Sequence, residues 1–321
     1  RSRGLVDVYK RQALTLLALG LTNYKEFIDD GMLHGLKIVA VAIVAQAIWG
    51  MAKNLCPDIA HRTIMVIAAC FVLLIPFAFV QIIAILLGGI GGVVLFKPSA
   101  ITNYSLLDTP ISNRAGFLWL FLFAFLFILL PIAASIFPSS TLGMIDIFYR
   151  AGSLVFGGGH VVLPLLQTEV VAAGMIDNNV LLAGYGATQA MPGPLFTLAA
   201  FLGASMDEVP NSWGGATIAL VAIFLPSFLL IMGVLPFWEK LRHHLLTRAA
   251  LMGVNATVVG ILIAAFYQPI WTSAIFEAKD FALALLAFVA LKFWNTPPWM
   301  VVIICGFIGW FLYSSYFPFY S

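Results

Sequence analysis

Long apolar stretches recur from one end of this chain to the other, and they restrict its fold more than any other feature. The run from Leu118 to Leu130 is continuously apolar, and the run from Ile218 to Val234 is nearly so. Segments of about 17 to 22 such residues are long enough to cross about 30 Å of hydrocarbon as helices. Only helices and closed barrels satisfy their backbone groups in a bilayer, and barrel strands would alternate in polarity. The sequence therefore predicts an all-α, polytopic transmembrane helical bundle.

The overall composition supports the same conclusion. The 321 residues are 62% hydrophobic and only 9% charged, with a mean hydropathy of +1.03, which leaves too little polar surface for a water-soluble globule. We predict the C-terminal end of a helix at residues 13–22, followed by further apolar helices. These lie near residues 33–52, 62–77, 79–95, 115–135, 180–205, 214–236, 249–270, 279–293 and 297–315.

An internal repeat relates the two ends of the chain. A shift of 218 residues aligns Gly35 with Gly253 and Gly88 with Gly306 without a gap, over roughly 60 residues. The loop charges change sign between the aligned segments, which by the positive-inside rule predicts an inverted repeat. Chance matching of apolar segments is the alternative. In inverted-repeat transporters, the substrate site lies near the bilayer midplane where the repeats meet.

The repeat and the composition divide the chain into four parts. Residues 1–12 differ abruptly in composition from the rest, which indicates a non-native leader. Residues 13–96 then form the C-terminal part of a first transporter half, polar residues 97–114 form a linker, and residues 115–321 form a complete second half. The first-half counterparts of Phe156 and Pro192 would precede residue 1. We therefore expect about 100 residues of the first half to be absent.

A run of glycines is the first candidate for substrate contact. It interrupts an apolar segment and would break a helix at membrane depth. Successive amides in such a turn, beside a helix N-terminus, form a concave anion site, and a histidine adds a donor. The alternative is a closely packed turn with the histidine as a neutral cap. The residues are Phe156, Gly157, Gly158, Gly159 and His160.

A second backbone break follows about 35 residues later. Pro192 and Pro194 flank Gly193 and remove two amide donors, so we predict a discontinuous helix. The half-helix that begins at Pro194 would direct its positive end at an oxyanion, and Gln189 would add an amide donor. A kinked, purely structural helix is the competing interpretation.

Polar and charged residues flank the glycine run. Arg150 is the candidate that attracts an anion, because charges near a membrane core are costly to bury. Asp146 stands four residues before it, so it either neutralises Arg150 or orients it toward the site. Gln167 and Glu169 receive coupling or structural roles, since a carboxylate repels an oxyanion unless it carries a proton or balances an arginine.

Several motifs carry a resemblance to a known family. They include FGGGHVVLPLLQ at 156–167, GYGATQAMPGPLF at 184–196 and IFLPSFLL at 223–230, together with MGVNATVV at 252–259 and HGLKIVAVAIVAQAIW at 34–49. In order and spacing the chain resembles the chromate ion transporter family, in its long-chain type with two homologous halves. The resemblance implies chromate export across the bacterial inner membrane, and hence chromate resistance. First-half copies of the glycine and PGP motifs are absent here.

Other functions are left as alternatives. Sulfate matches chromate in shape and charge, and a non-transporting membrane assembly subunit is possible on the same fold. An intramembrane enzyme using His160 with Glu169 or Asp177 lacks any accompanying catalytic signature. We predict no cofactor and no metal, because the three cysteines form no CxxC pair. The charges outside the leader nearly balance and indicate no nucleic acid. The predicted partners are an oxyanion, the lipid bilayer and a second copy in a homodimer.

Overall fold

The computed structural model consists of helices joined by short turns and loops in the residues that it describes. These are residues 12–19, 30–75, 80–98, 111–137, 139–155, 163, 166–171, 173–190, 194–206, 208–238, 241 and 244–314. No strand occurs among them, and the prediction of a helical membrane bundle is confirmed.

Twelve α-helices are numbered in chain order within these ranges. They are α1 (12–19), α2 (Asp30–Leu55), α3 (Ile59–Leu74), α4 (Val80–Leu95), α5 (Asn113–Ile136), α6 (Ser140–Ser153), α7 (Asn178–Ala190), α8 (Leu198–Ala204), α9 (Ser212–Val234), α10 (Leu245–Ala265), α11 (Ala278–Lys292) and α12 (Pro298–Ser314). Short turns extend some of them: a π-helical turn follows α10 at Phe266–Trp271, and 3₁₀ turns precede α8 at Leu195–Thr197 and follow α9 at Leu235–Phe237.

Among the described residues, four helical segments are long and apolar enough to cross a membrane. They are His34–Leu55, Asn113–Ile136, Ser212–Phe237 and Leu245–Trp271. Large apolar side chains cover the exposed surface of α5, including Phe117, Phe121 and Ile128. An exposed surface of this kind requires an apolar surrounding, which a bilayer supplies.

Side-chain caps explain where several helices begin. Asp58 accepts a hydrogen bond from the His61 amide at the start of α3, and Ser112 accepts one from the Ala115 amide at the start of α5. Glu277 and Asp280 form a capping box at the start of α11. These caps satisfy amides that the first helical turn leaves without partners.

The predicted discontinuous helix is present, whereas one helix was not predicted. The segment expected at 180–205 consists of α7, an extended Pro194 with φ −60° and ψ 139°, and the half-helix formed by the 3₁₀ turn and α8. Helix α6 was missed because Asp146 and Arg150 interrupt its apolar residues, so the segment forms no continuous apolar run.

The chain forms two compact units, and each draws on both ends of the sequence. The first unit comprises residues 1–49, 162–220 and 265–321, and the second comprises residues 50–161 and 221–264. Neither unit coincides with a predicted sequence half, because each contains residues from both sides of the predicted linker. The division into halves stays a prediction.

A close helix crossing organises the first unit. A Cβ atom added at Gly35 of α2 would overlap the carbonyl oxygen of Cys305 of α12, and one added at Gly309 would lie 2.6 Å from the Gly35 Cα. The Gly31 carbonyl also faces Gly309, so the two helices run antiparallel. Small residues allow this approach of two backbones, as is common between membrane helices.

The second unit contains an equivalent crossing between α4 and α10. A Cβ atom at Gly253 would overlap the Gly88 carbonyl oxygen and lie 2.7 Å from the Gly92 Cα, while the Ala249 carbonyl faces Gly92. Gly253 and Ala249 are the residues that the 218-residue shift aligns with Gly35 and Gly31. Each unit therefore pairs the first helix of one repeat with the third helix of the other.

The helix bounds also follow the repeat. Shifted by 218 residues, α3 would span 277–292 and α4 would span 298–313, and the observed α11 and α12 begin and end within one residue of those bounds. The repeat is thus visible in both helix lengths and helix contacts. Its inverted orientation in the membrane stays a prediction.

Candidate anion site

An ion pair on α6 lies in the turns before the glycine run. Arg150 Nη2 donates a hydrogen bond to Asp146 Oδ2 at 2.8 Å, at the i, i+4 spacing noted in the sequence. The Asp146 side chain is 7% exposed and that of Arg150 is 22% exposed. The structure therefore holds a guanidinium and a carboxylate together in largely buried surroundings, where charge interactions are stronger than in water.

Two neighbouring helices hold α6 in place. The Tyr149 hydroxyl donates to the Phe123 carbonyl of α5 at 3.0 Å, and both Phe148 and Tyr149 are buried. Gly152 lies so close to the Ile223 carbonyl of α9 that an added Cβ atom would overlap it. These contacts lie within the second unit, and they fix the helix on which Asp146 and Arg150 stand.

One oxygen of Asp146 is incompletely satisfied. Oδ2 accepts from Arg150, but Oδ1 is buried and has no hydrogen-bond partner within the described part of the chain. An ionised carboxylate has about four acceptor positions, and leaving one oxygen buried without a donor is costly. The pair can therefore accept a hydrogen bond from an additional group.

Gln167 lies in the first unit. It belongs to the π-helical turn Gln167–Val171, and its side-chain amide donates to Asn178 Oδ1 at the start of α7. Its own Oε1 is buried and has no partner in the described ranges. Glu169 stands in the same turn and is partly buried. The turn is thus attached to α7. Gln167 and Glu169 belong to the first unit and Arg150 to the second.

Pro194 also belongs to the first unit and precedes the half-helix. Its carbonyl accepts a hydrogen bond from the Thr197 hydroxyl at 2.7 Å. The residues of α8, Leu198 to Ala204, are all buried. The half-helix therefore begins where the sequence predicts, in the core of the first unit.

The remaining predicted site residues lie outside the description. Gln189 belongs to α7, but its side chain is not among the described groups. The other predicted site residues, which lie outside the described ranges, are Phe156, Gly157, Gly158, Gly159, His160, Pro192 and Gly193. The proposed roles of all these residues stay predictions.

A buried histidine–aspartate pair was missed by sequence reasoning. His34 Nε2 lies 3.1 Å from Asp280 Oδ1, with side chains 13% and 1% exposed. The other carboxylate oxygen of Asp280 accepts from the amides of Phe276 and Glu277 at 2.8 and 2.9 Å. The available signal was an ionisable residue at the end of each of two apolar helices, but 246 residues separate the partners.

The cysteines are free thiols. Cys56 is buried against Ala256 and Val259, and this burial raises the pKa of its thiol. A buried thiol of this kind suits packing. Within the described ranges, no group of three or more His, Cys, Asp or Glu side chains is placed to hold a metal ion.

Apolar helices of membrane-spanning length, a broken helix and largely buried charges define this protein as a polytopic helical membrane protein. Its family is shown by direct comparison. Residues 12–93 and 142–310 match the model of the chromate transporter family, and the chain belongs to that family.

Individual relatives are more distant. An uncharacterised transporter of Methanocaldococcus jannaschii is 27% identical over 239 residues, covering 72% of this chain and 56% of the relative. A probable chromate transport protein of Synechococcus elongatus is 25% identical, covering 58% and 48%. A chromate transport protein of Pseudomonas aeruginosa is 27% identical, covering 52% and 40%. The chain spans about half the length of these curated relatives, and no solved structure matches it.

Proposed function

We propose that this chain is a secondary transporter that exports chromate, or a closely similar oxyanion, across the bacterial inner membrane and so confers chromate resistance. The single observation that carries the proposal is the largely buried Asp146–Arg150 ion pair in a member of the chromate transporter family. A guanidinium presents up to five N–H donors in a planar fork that suits the oxygens of a tetrahedral anion. Ionisable residues so placed in membrane transporters mark substrate pathways.

The membrane potential favours this direction of transport. Each negative charge that leaves a cell with a negative interior gains about 2.3 kcal/mol per 100 mV, and uptake is opposed by the same amount. In this proposal Arg150 attracts the anion, and the amides of Gly157 to Gly159 and the side chain of His160, whose roles are predicted from the sequence, surround it. The protein works in the bilayer as a homodimer and performs no covalent chemistry.

Two alternatives make different predictions. A sulfate transporter would bind an ion of nearly the same shape and charge. A non-transporting assembly subunit would tolerate substitution of Gly158 and Arg150 without functional loss. Both alternatives are decided by the same transport assay.

The test is chromate uptake into energised inverted membrane vesicles. Vesicles containing the chain, Arg150→Ala, Gly158→Leu or no protein are compared, with sulfate as competitor. Arg114→Ala is the matched control, since Arg114 is exposed at the start of α5. We expect each site variant to reduce uptake by at least about tenfold, equivalent to about 1.4 kcal/mol, while the control retains it.

Three other results would contradict this proposal. If vesicles with folded, inserted protein and vesicles with no protein take up chromate equally, chromate is the wrong substrate. If sulfate uptake exceeds chromate uptake, the chain is a sulfate transporter. Unchanged transport in both site variants would contradict the assigned site.

A further inference from the structure

We propose that Asp146 and Arg150 bind the oxyanion together with one proton, so that the ion carried is hydrogenchromate and not the chromate dianion. This inference rests on the proposed function and specifies the substrate form for the same site. It is carried by the incomplete hydrogen bonding of one buried carboxylate.

The geometry of the pair leaves one defined position for a donor. Arg150 occupies Oδ2 of Asp146, and Oδ1 is buried without a partner in the part of the chain that the structure describes. A fully deprotonated oxyanion has no hydrogen to give, so against this oxygen it would meet only repulsion. A hydroxyl-bearing oxyanion instead donates its O–H to Oδ1 and presents its remaining oxygens to the N–H groups of Arg150.

Charge balance favours the same species. The guanidinium of Arg150 is already offset by Asp146, so the pair has no net charge to set against two further negative charges. The cost of desolvating an ion rises steeply with its charge, so a dianion is taken from water at far greater cost than a monoanion. One proton on the oxyanion halves its negative charge. The same proton replaces the repulsion at Asp146 Oδ1 with a hydrogen bond.

The described helices that pack on α6 offer few other titratable groups. Helix α5, which packs on α6, contributes only Arg114, which is exposed at its first turn. Helix α9, which meets Gly152, contains no titratable residue. On α6 itself the Tyr149 hydroxyl donates to the Phe123 carbonyl, and His160 follows in the chain outside the described ranges. In this proposal the shared proton lies between Asp146 and the bound oxyanion.

The proton count is simple because no covalent bond to chromium is made or broken. The complex holds one proton between the oxyanion and Asp146, wherever along the hydrogen bond it resides. Hydrogenchromate dissociates near neutral pH, whereas hydrogensulfate and hydrogenselenate are far stronger acids. Sulfate and selenate therefore share a proton poorly, and a site of this kind selects chromate over anions of the same shape.

The decisive experiment is equilibrium binding of chromate, sulfate and selenate to the full chain in detergent, from about pH 6 to about pH 9. Where the free ion and Asp146 are both deprotonated, we expect the apparent Kd for chromate to rise about tenfold per pH unit. Sulfate and selenate should bind at least about tenfold more weakly than chromate at neutral pH. Binding in weak buffer at alkaline pH should take up one proton per chromate.

Three variants separate the role of Asp146 from general effects. In Asp146→Asn, an amide replaces the proton acceptor and can donate to a dianion, so the pH slope should vanish and sulfate should bind as well as chromate. Asp146→Glu should retain the slope. Asp58→Asn is the matched control, because it makes the same chemical change at an exposed carboxylate.

Each result has a defined meaning. Binding of chromate by the unmodified chain with no pH slope and no proton uptake overturns the inference and leaves the proposed function standing. A slope that survives in Asp146→Asn also overturns it. If Asp146→Asn does not fold, proton uptake by the unmodified chain still decides the question. Folded protein that neither binds nor transports any of the three anions contradicts the proposed function itself.

Discussion

Two histidine–aspartate pairs, one in each compact unit, have the same side chains and opposite surroundings. In the first unit His34 lies 3.1 Å from Asp280, which is 1% exposed. In the second unit His61 Nδ1 lies 2.7 Å from Asp58, which is 58% exposed. The first pair joins α2 to the start of α11, whereas the second forms within a single turn at the start of α3.

Burial determines what each carboxylate requires. Water solvates Asp58, so its capping contacts with His61 are sufficient. The buried Asp280 needs protein donors on both oxygens, and it has them from two amides and from His34. Asp146 is buried like Asp280 but lacks a donor on Oδ1 within the described residues. A buried carboxylate with complete bonding indicates structure, and one with an open position indicates binding.

The largest expected effect is that of Asp280→Ala. This substitution leaves two amides and one histidine without their acceptor in buried surroundings, so we expect a loss of about 3 kcal/mol in the free energy of unfolding. Chemical unfolding in detergent micelles measures this loss. Asp58→Ala, at the exposed pair, should cost much less. Equal losses for the two substitutions would show that burial does not distinguish the pairs.

A double-mutant cycle sharpens the comparison with a smaller expected effect. We expect His34→Ala and Asp280→Ala to couple by about 1 to 2 kcal/mol, because the two side chains contact each other directly across two helices. The same cycle on His61 and Asp58 should give a smaller coupling energy, since solvent screens the exposed carboxylate. If the losses in unfolding free energy from the two single substitutions simply add, the contact between His34 and Asp280 contributes no stability of its own.

The sequence predicts the apolar helices well because a membrane span is a long local signal. The bounds expected for α4 and α11 are within two residues of those observed, and the break at Pro194 follows from the missing amide of proline. The Asp146–Arg150 pair is predictable for the same reason, since its partners stand four residues apart on one helix.

Contacts between distant segments are less predictable from the sequence. The internal repeat aligns Asp280 with Arg62, a residue of opposite charge, so it gives no indication that Asp280 pairs with His34. The unpartnered oxygen of Asp146 is likewise a property of packing, because it is buried and finds no donor among the described residues. Spacing along one helix predicts a pair, but only the surrounding helices determine which of its oxygens remain open.

The smallest expected effect is a dependence of stability on pH at the exposed pair. Hydrogen bonds from the His61 amide, and then from its side chain, lower the pKa of Asp58 below its ordinary value of 3.8. Because the folded-state pKa lies below the unfolded one, Asp58 stabilises the protein above pH 3.8. That stabilisation is lost as the pH falls through the lowered pKa.

The comparison with Asp58→Asn isolates this contribution, because asparagine retains the helix cap but does not titrate in this range. We expect the unmodified chain to unfold at a higher temperature than the variant at neutral pH. The difference should disappear below about pH 3, where both side chains are neutral. Thermal unfolding of both proteins at the two pH values measures it. A difference that persists unchanged in acid would show that the Asp58 charge contributes nothing and that His61 recognises only the shape of the cap.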